Sequence, residues 1–330
     1  PMKLDPKNRS DKTRKLDRGE SHSYRSMCAQ IQWVARESRP EVAGSASMLN
    51  SALPEPTVEH ALVGIKVCKF LRSTASQVIT VWPLDLHSLN FVTVSDAGGP
   101  GTAKNDGSQG AWLVMAADAS IRQKKRVRVS VLSWRSTRLK RAVSSTVAAE
   151  TLSLSAALAE AQWLQVLFRD AGFQDVSIPD WQVTSGPFTA VLSSECHLAE
   201  ASGTVSVVDA KSVFDTLSKN TSGSKVDRRN AIELAIIRDT MSALGSQVRW
   251  VPHGRMPADA MTKIDAARGN LALSEMLRRG TMCLMDEEGH LSERQLNLSL
   301  KSRSRKKCLE EMLKSEETRS IEERRRVVQE

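Results

Sequence analysis

The chain has 330 residues, 40% of them hydrophobic and 26% charged, with 47 lysines and arginines against 38 acids and a formal net charge of +9. That is long enough for two ordinary domains, or for one with generous flanks, and too apolar for wholesale disorder. The basic balance suits a polyanionic partner, nucleic acid being the commonest, though ordinary solubility charge would look the same.

Residues 1–20 are dominated by Lys, Arg and Asp and read as a basic, disordered lead-in. Residues 21–85 have helical texture. Met27, Ile31, Val34 and Ala35 recur at helical spacing, Arg39-Pro40 interrupts, and Val42 to Leu53 is a second apolar stretch. Pro54 and Pro56 punctuate again before a third helix over Val58 to Phe70. The texture changes near Leu89. Leu89 to Asp96 alternates as a strand, Gly98 to Gly101 turn, and Ala111 to Ala117 and Arg126 to Trp134 are two further strands. A long helix follows from Thr146 to Ala171, with Gly172 at its end. Residues 173–203 read as an insertion or loop. Thr204 to Asp209 is a short strand, Asn230 to Leu244 a helix, Gln247 to Val251 a last strand, and Pro257 opens another helix. Three consecutive strands suit an antiparallel meander, and strands alternating with helices suit parallel crossovers. The expectation is an α/β domain over 86–283, with a mixed five-stranded sheet flanked by helices, preceded by a small all-helical segment. Residues 284–330 are charged in blocks of both signs and read as a polar helical or disordered tail.

The five cysteines, Cys28, Cys68, Cys196, Cys283 and Cys308, are scattered and form no CxxC pair. They argue against a disulfide framework or zinc ribbon and for a reducing compartment, so cytoplasm or nucleus rather than secretion is expected. No apolar run approaches the ~18 residues of a membrane span, so no membrane partner is expected. The chain opens on Pro1 without an apolar signal segment, which suggests a piece cut from a longer product.

Three acids stand in unusual places. Asp96 ends a strand on the face of Val92 and Val94, and Asp209 ends one on the face of Val205 and Val207. Glu150 heads the apolar stripe of Leu154, Leu158, Ala161, Leu164 and Phe168. An unpaired buried carboxylate costs several kcal/mol, roughly. Singly, each also reads as a turn former or a first-turn acid. Jointly, acids at the ends of two parallel strands and on a helix over the sheet can converge at one sheet edge. There they would repel unless hard divalent cations neutralise them.

These residues lie in motifs with a known likeness. "VSDAGG" around Asp96, "LSWRSTRLKRAVSSTVAAETLSLSAALAEAQWL" around Glu150, "VVDAKSVFDTL" around Asp209 and "RWVPHGRMPADAMTK" around Asp259 stand in order. Over residues 88–265 the chain resembles the ribonuclease H domain of Copia-type retrotransposon polyproteins. Residues 24–74, "YRSMCAQIQWVARESRPEV…LRST", resemble the helical stretch after the reverse transcriptase palm. The resemblance implies a ribonuclease H-like fold and two-metal hydrolysis of the RNA strand of an RNA/DNA hybrid, with two Mg²⁺ and Mn²⁺ able to substitute. The rest of a retroelement polyprotein would be a further partner. It also implies roles. Asp96 would bridge both ions, Glu150 and Asp209 would hold one, and Asp259 would help hold the other; His253 takes the place of a proton-shuttling histidine, where a plain loop histidine is the simpler reading. One residue more separates Ser145-Thr146 from Glu150 than in the family, and Ala210 follows Asp209 where many relatives carry asparagine. No Tyr-x-Asp-Asp polymerase motif is present.

Two basic runs, Arg122, Lys124, Lys125, Arg126 and Arg128, then Arg135, Arg138, Lys140 and Arg141, flank the segment leading to Glu150. They are expected to contact hybrid phosphates. A protected edge strand is the plainer explanation. The alternative to a nuclease is a decayed, nucleic-acid-binding or scaffold remnant of a retroelement.

Overall fold

The three helical stretches become α1 (Arg18–Glu37), α2 (Ala43–Ser51) and α3 (Val58–Ser73) in a computed structural model of the chain. It describes residues 2, 4, 9–84, 89–98, 107–141, 143, 145–172, 203–218, 227–264, 271–285 and 288–292. A capping box starts α1. The Asp17 carboxylate accepts from the Glu20 N–H at 2.8 Å, and the Glu20 carboxylate accepts from the Asp17 N–H at 3.0 Å. Tyr24, Met27, Cys28, Ile31 and Ala35 then form its buried stripe. The expected disorder of 1–20 is corrected over residues 9–20 by this start. Lys15 bridges to Thr57, Leu16 is buried, and Asp11 accepts from the N–H groups of Thr13 and Arg14. The charged composition hid a cap and two anchors.

The remaining elements are β1 (Leu89–Gly98), β2 (Gln109–Asp118), β3 (Val127–Arg138), α4 (Thr146–Gly172), β4 (Thr204–Val208), α5 (Lys211–Ser218), α6 (Arg228–Ala243), β5 (Gln247–Trp250), α7 (Leu271–Arg279) and β6 (Thr281–Met282). The sheet order is β5-β4-β1-β2-β3-β6. β1, β2 and β3 form the antiparallel meander, while β4 and β5 run parallel to β1. The fold is thus α/β and ribonuclease H-like, with six strands instead of five. The sixth is only two residues long, pairing Thr281 and Met282 with Arg128 and Val127. The expected insertion at 173–203 lies outside the described residues, apart from Gly203.

Side chains alternate between the faces of the sheet. Leu89, Phe91, Trp112, Val114 and Ala116 face α4 through Ala157 and Ala161. Val92, Val94, Leu113, Met115, Val205 and Val207 face the other way, into one core with Tyr24, Ile31, Leu49 and Val58. Direct bonds tie these layers. Trp134 Nε1 donates to the Ala35 carbonyl at 2.7 Å, and Gln109 Nε2 donates to Ser47 Oγ at 2.9 Å. The segment read as a separate helical unit over 21–85 is therefore a layer of the sheet domain. A valine-rich sheet face needs an apolar cover, and these helices supply it. The chain divides into one unit over 1–284 and a second over 285–330. Of the second, 285 and 288–292 are described, the latter as a helical turn. The rest of the expected tail lies outside the described residues.

Candidate active site

Asp96 sits near the end of β1, on the face of Val92 and Val94, and is buried. Asp209 follows the last residue of β4, the parallel neighbour of β1, so both carboxylates leave the same end of the sheet. Trp250 Nε1 donates to the Asp209 carbonyl at 2.8 Å and fixes that turn. Glu150 comes from the opposite face. Ser145 caps α4, its Oγ accepting from the Ala148 N–H at 3.2 Å, which sets the helix register. Leu154 and Leu158, one and two turns on, are fully buried with Glu150 at the head of their stripe. Small residues let α4 come close. A Cβ on Gly110 would lie 2.6 Å from Leu139 Cδ2 and 2.7 Å from Ser153 Oγ, so any side chain there would displace both. Glu150 reaches the strand end, where the Ala97 N–H donates to it.

One carboxylate oxygen from each of Asp96, Glu150 and Asp209 lies within 4.8 Å of the others. Burial, reinforced by the neighbouring charges of Asp209 and Asp259, raises the Asp96 pKa to about 6 against the pull of the Thr262 hydroxyl. Burial and then the charges of Asp96 and Asp209 raise Glu150 to about 9. Three anions this close repel, and low dielectric makes the repulsion strong. Glu150 is 6% exposed, yet among the described residues its Oε2 has no hydrogen-bond partner. A buried carboxylate oxygen facing other carboxylates and lacking a donor is what a hard, oxygen-seeking divalent cation would satisfy. The donor set is all carboxylate oxygen, which fits Mg²⁺ or Mn²⁺.

Asp259 lies in a short 3₁₀ turn, Pro257–Met261, where the sequence suggested the start of a helix. It joins the group through Lys263 and His253 instead of by carboxylate convergence. Lys263 Nζ is 2.6 Å from Asp259 Oδ1 and 3.1 Å from His253 Nε2. His253 Nε2 is also 3.1 Å from Asp259 Oδ1, and Nδ1 is 3.0 Å from Asp209 Oδ2. The imidazole thus lies between the Asp209 and Asp259 carboxylates, with the Lys263 ammonium beside it. His253 is exposed and bridges two of the acids. Two participants were quoted in a motif without a role. Thr262 Oγ1 donates to Asp96 Oδ2 at 2.5 Å, and Lys263 pairs with Asp259. Their signal was spacing, three and four residues past Asp259 around a tight turn. Gly98 permits the contact, because a Cβ there would meet the Thr262 carbonyl at 2.6 Å.

The two basic runs separate. Arg135 and Arg138 pair in register with Trp112 and Gln109, beside the acid end of β1, and Lys140 and Arg141 follow at that end. All four are exposed, and Arg141 Nη1 is 3.1 Å from Glu233 Oε2. Lys124, Lys125, Arg126 and Arg128 lie at the other end, where Leu89 pairs with Asp118. Seven residues of β1 separate Leu89 from Asp96, about 23 Å at roughly 3.3 Å per residue. The expectation that this run flanks the approach to Glu150 is corrected, since an antiparallel hairpin carries the start of β3 away from the site. Arg122 is taken up internally, with Nε donating to Asn90 Oδ1 at 2.8 Å, and Arg128 lies over the Trp82 ring at 4.5 Å.

No known protein-family model matches the chain, and no curated protein matches it. Solved structures similar to it include the N-terminal RNase H domain of rv2228c from Mycobacterium tuberculosis, in a fusion with maltose-binding protein. It is 18% identical over 57% of this chain and 99% of that one, with a TM-score of 0.30. RNase H1 from the halophilic archaeon Halobacterium salinarum is 14% identical over 56% of this chain and 98% of that one, with a TM-score of 0.30. The prototype foamy virus protease-reverse transcriptase is 15% identical over 62% of this chain and 22% of that one, with a TM-score of 0.29. The strand order and the grouping of acids carry the functional reading.

Proposed function

We propose that the chain is a metal-dependent endoribonuclease of the ribonuclease H type, which hydrolyses the RNA strand of an RNA/DNA hybrid and derives from a Copia-type retroelement polyprotein. One observation carries this reading. Acids from β1, α4 and the end of β4 converge at one sheet edge, with a buried glutamate oxygen left without a donor. Asp96, Glu150 and Asp209 would hold one Mg²⁺ or Mn²⁺, and Asp96 with Asp259 a second. When bound, the two cations supply the positive charge that a phosphodiester needs for attack by water and departure of its leaving oxygen. Thr262 orients Asp96 by its hydroxyl. His253 lies within reach of both Asp209 and Asp259 and would relay to the leaving oxygen the proton that the attacking water gives up. Arg135, Arg138 and Lys140 stand at the same end and would take hybrid phosphates there. Lys124, Lys125, Arg126 and Arg128 would meet a hybrid only well beyond the cleavage point.

The test is cleavage of a labelled RNA/DNA hybrid by the purified chain. RNA-strand products are expected with Mg²⁺ or Mn²⁺ and none with EDTA. Cleavage that survives EDTA removes the metal reading, and hybrid binding without cleavage at any metal concentration leaves a nucleic-acid-binding remnant.

A further inference from the structure

The two sides of the acid group differ in what neutralises them. On the triad side, among the described residues, buried Glu150 Oε2 meets neither a donor nor a cation. On the Asp259 side, an ammonium and an imidazole already crowd one oxygen. Lys263 Nζ is 2.6 Å from Asp259 Oδ1, and His253 Nε2 is 3.1 Å from the same atom and 3.1 Å from Nζ. The first distance is that of a close ion pair, without the geometry of a hydrogen bond. A Mg²⁺ ion takes a carboxylate oxygen at about 2.0–2.1 Å and tolerates little departure from octahedral geometry. An ammonium seated on that oxygen both fills its approach and repels a dication.

We propose that Lys263 is a built-in counter-ion that closes the Asp259 position to a divalent cation in the free chain. The chain alone then carries one tightly held cation, on Asp96, Glu150 and Asp209, and a second is admitted only when Lys263 leaves Asp259. This rests on the metal-dependent reading of the triad and adds an order of filling to it. Lys263 acts through Asp259, as a positioning residue. Its side chain is 50% exposed, on a flexible four-carbon stem, so it can swing outward without disturbing the core. A phosphodiester arriving at the site offers the ammonium another anion, and so ties release of Asp259 to the presence of substrate.

The experiment counts ions without reference to activity. Mn²⁺ is titrated into the full-length wild-type chain and the Lys263→Met and Lys263→Arg variants, with free Mn²⁺ read from its electron paramagnetic resonance signal. Wild type and Lys263→Arg should each hold one ion per chain. Lys263→Met should hold two, the second bound on the order of tenfold more tightly than in wild type. Circular dichroism is read on the same samples, and Lys263→Gln replaces a methionine variant that does not fold. Two ions of similar affinity in wild type would overturn the role of Lys263 while leaving the triad as a metal site. A folded methionine or glutamine variant that still holds one ion would do the same. If none of the chains binds Mn²⁺, the metal reading of the triad fails, and this inference with it.

Discussion

Glu41 and Glu150 are both buried glutamates, 1% and 6% exposed, each with an Oε2 that meets no hydrogen-bond partner among the described residues, but the charges set beside them are opposite. Glu41 lies between α1 and α2, and Arg39 Nε sits 2.5 Å from its Oε1. The same guanidinium donates to the Thr74 carbonyl and hydroxyl and lies 5.7 Å from the Phe70 ring centroid. The pair closes the junction between the first helices and the end of α3. Among the described residues Glu150 has no such cation; its charged neighbours there are Asp96 and Asp209. A structural carboxylate is neutralised from within the chain. A carboxylate kept among other carboxylates implies a cation from outside, and that contrast separates architecture from chemistry here.

The contrast is sharpest when one charge is removed from each place. Asp96→Asn should lower hybrid cleavage by about 1,000-fold or more, because the residue that joins both cation positions is lost. In EDTA the same variant should unfold at higher urea than wild type, by about 1–2 kcal/mol, since like-charge repulsion is relieved and Thr262 still finds an acceptor. Wild-type turnover would remove Asp96 from the chemistry. Lower stability in EDTA would mean that the acid group is compensated in a way the contrast denies.

Arg39→Met is the opposite case. It strips the cation from Glu41 and leaves a carboxylate buried with no counter-charge, which should destabilise the chain by about 3–5 kcal/mol. Urea unfolding at neutral pH measures this, and a loss under about 1 kcal/mol would show that the Arg39–Glu41 pair is not a structural clamp.

How much of this was legible beforehand follows the same division. Strand alternation, a long amphipathic helix and acids on valine-lined faces are local patterns, so the sheet, α4 and the grouping of Asp96, Glu150 and Asp209 could be read from residue order. The joining of the first three helices to the sheet was not legible. Apolar stripes such as Tyr24, Ile31 and Leu49 announce that something covers them without saying what, and Val92 and Val94 are as silent about their partner. The α1 capping box, with aspartate and not Ser or Thr at its head, was masked by the surrounding charge. The separation of the two basic runs required knowing that β2 and β3 form a hairpin whose far end lies about 23 Å from Asp96. Lys263 and Thr262 act through space around a 3₁₀ turn, and helical spacing arguments do not anticipate that geometry.

The smallest expected effect concerns pH, in the metal-free chain. Asp96 is raised from 3.8 to about 6 and Glu150 from 4.5 to about 9, both chiefly by burial. A carboxyl whose folded pKa exceeds its unfolded value binds its proton more tightly when folded. Its contribution to stability is complete below the unfolded pKa and is lost as pH rises through the folded one. In EDTA, stability should therefore fall between about pH 4 and pH 9, by about 1–3 kcal/mol across pH 5 to 8. Acid denaturation driven by ordinary salt-bridged carboxylates runs in the other direction, so the sign is diagnostic. Glu150→Gln should flatten the part of the curve above pH 6, where Asp96 has already lost its proton, and should leave the part below it sloping. Saturating Mg²⁺ should reverse the slope, because the cation binds only the deprotonated acids. A metal-free stability that is flat or rises from pH 5 to 8 would mean that Glu150 finds a partner in solution. The difference between it and Glu41 would then disappear.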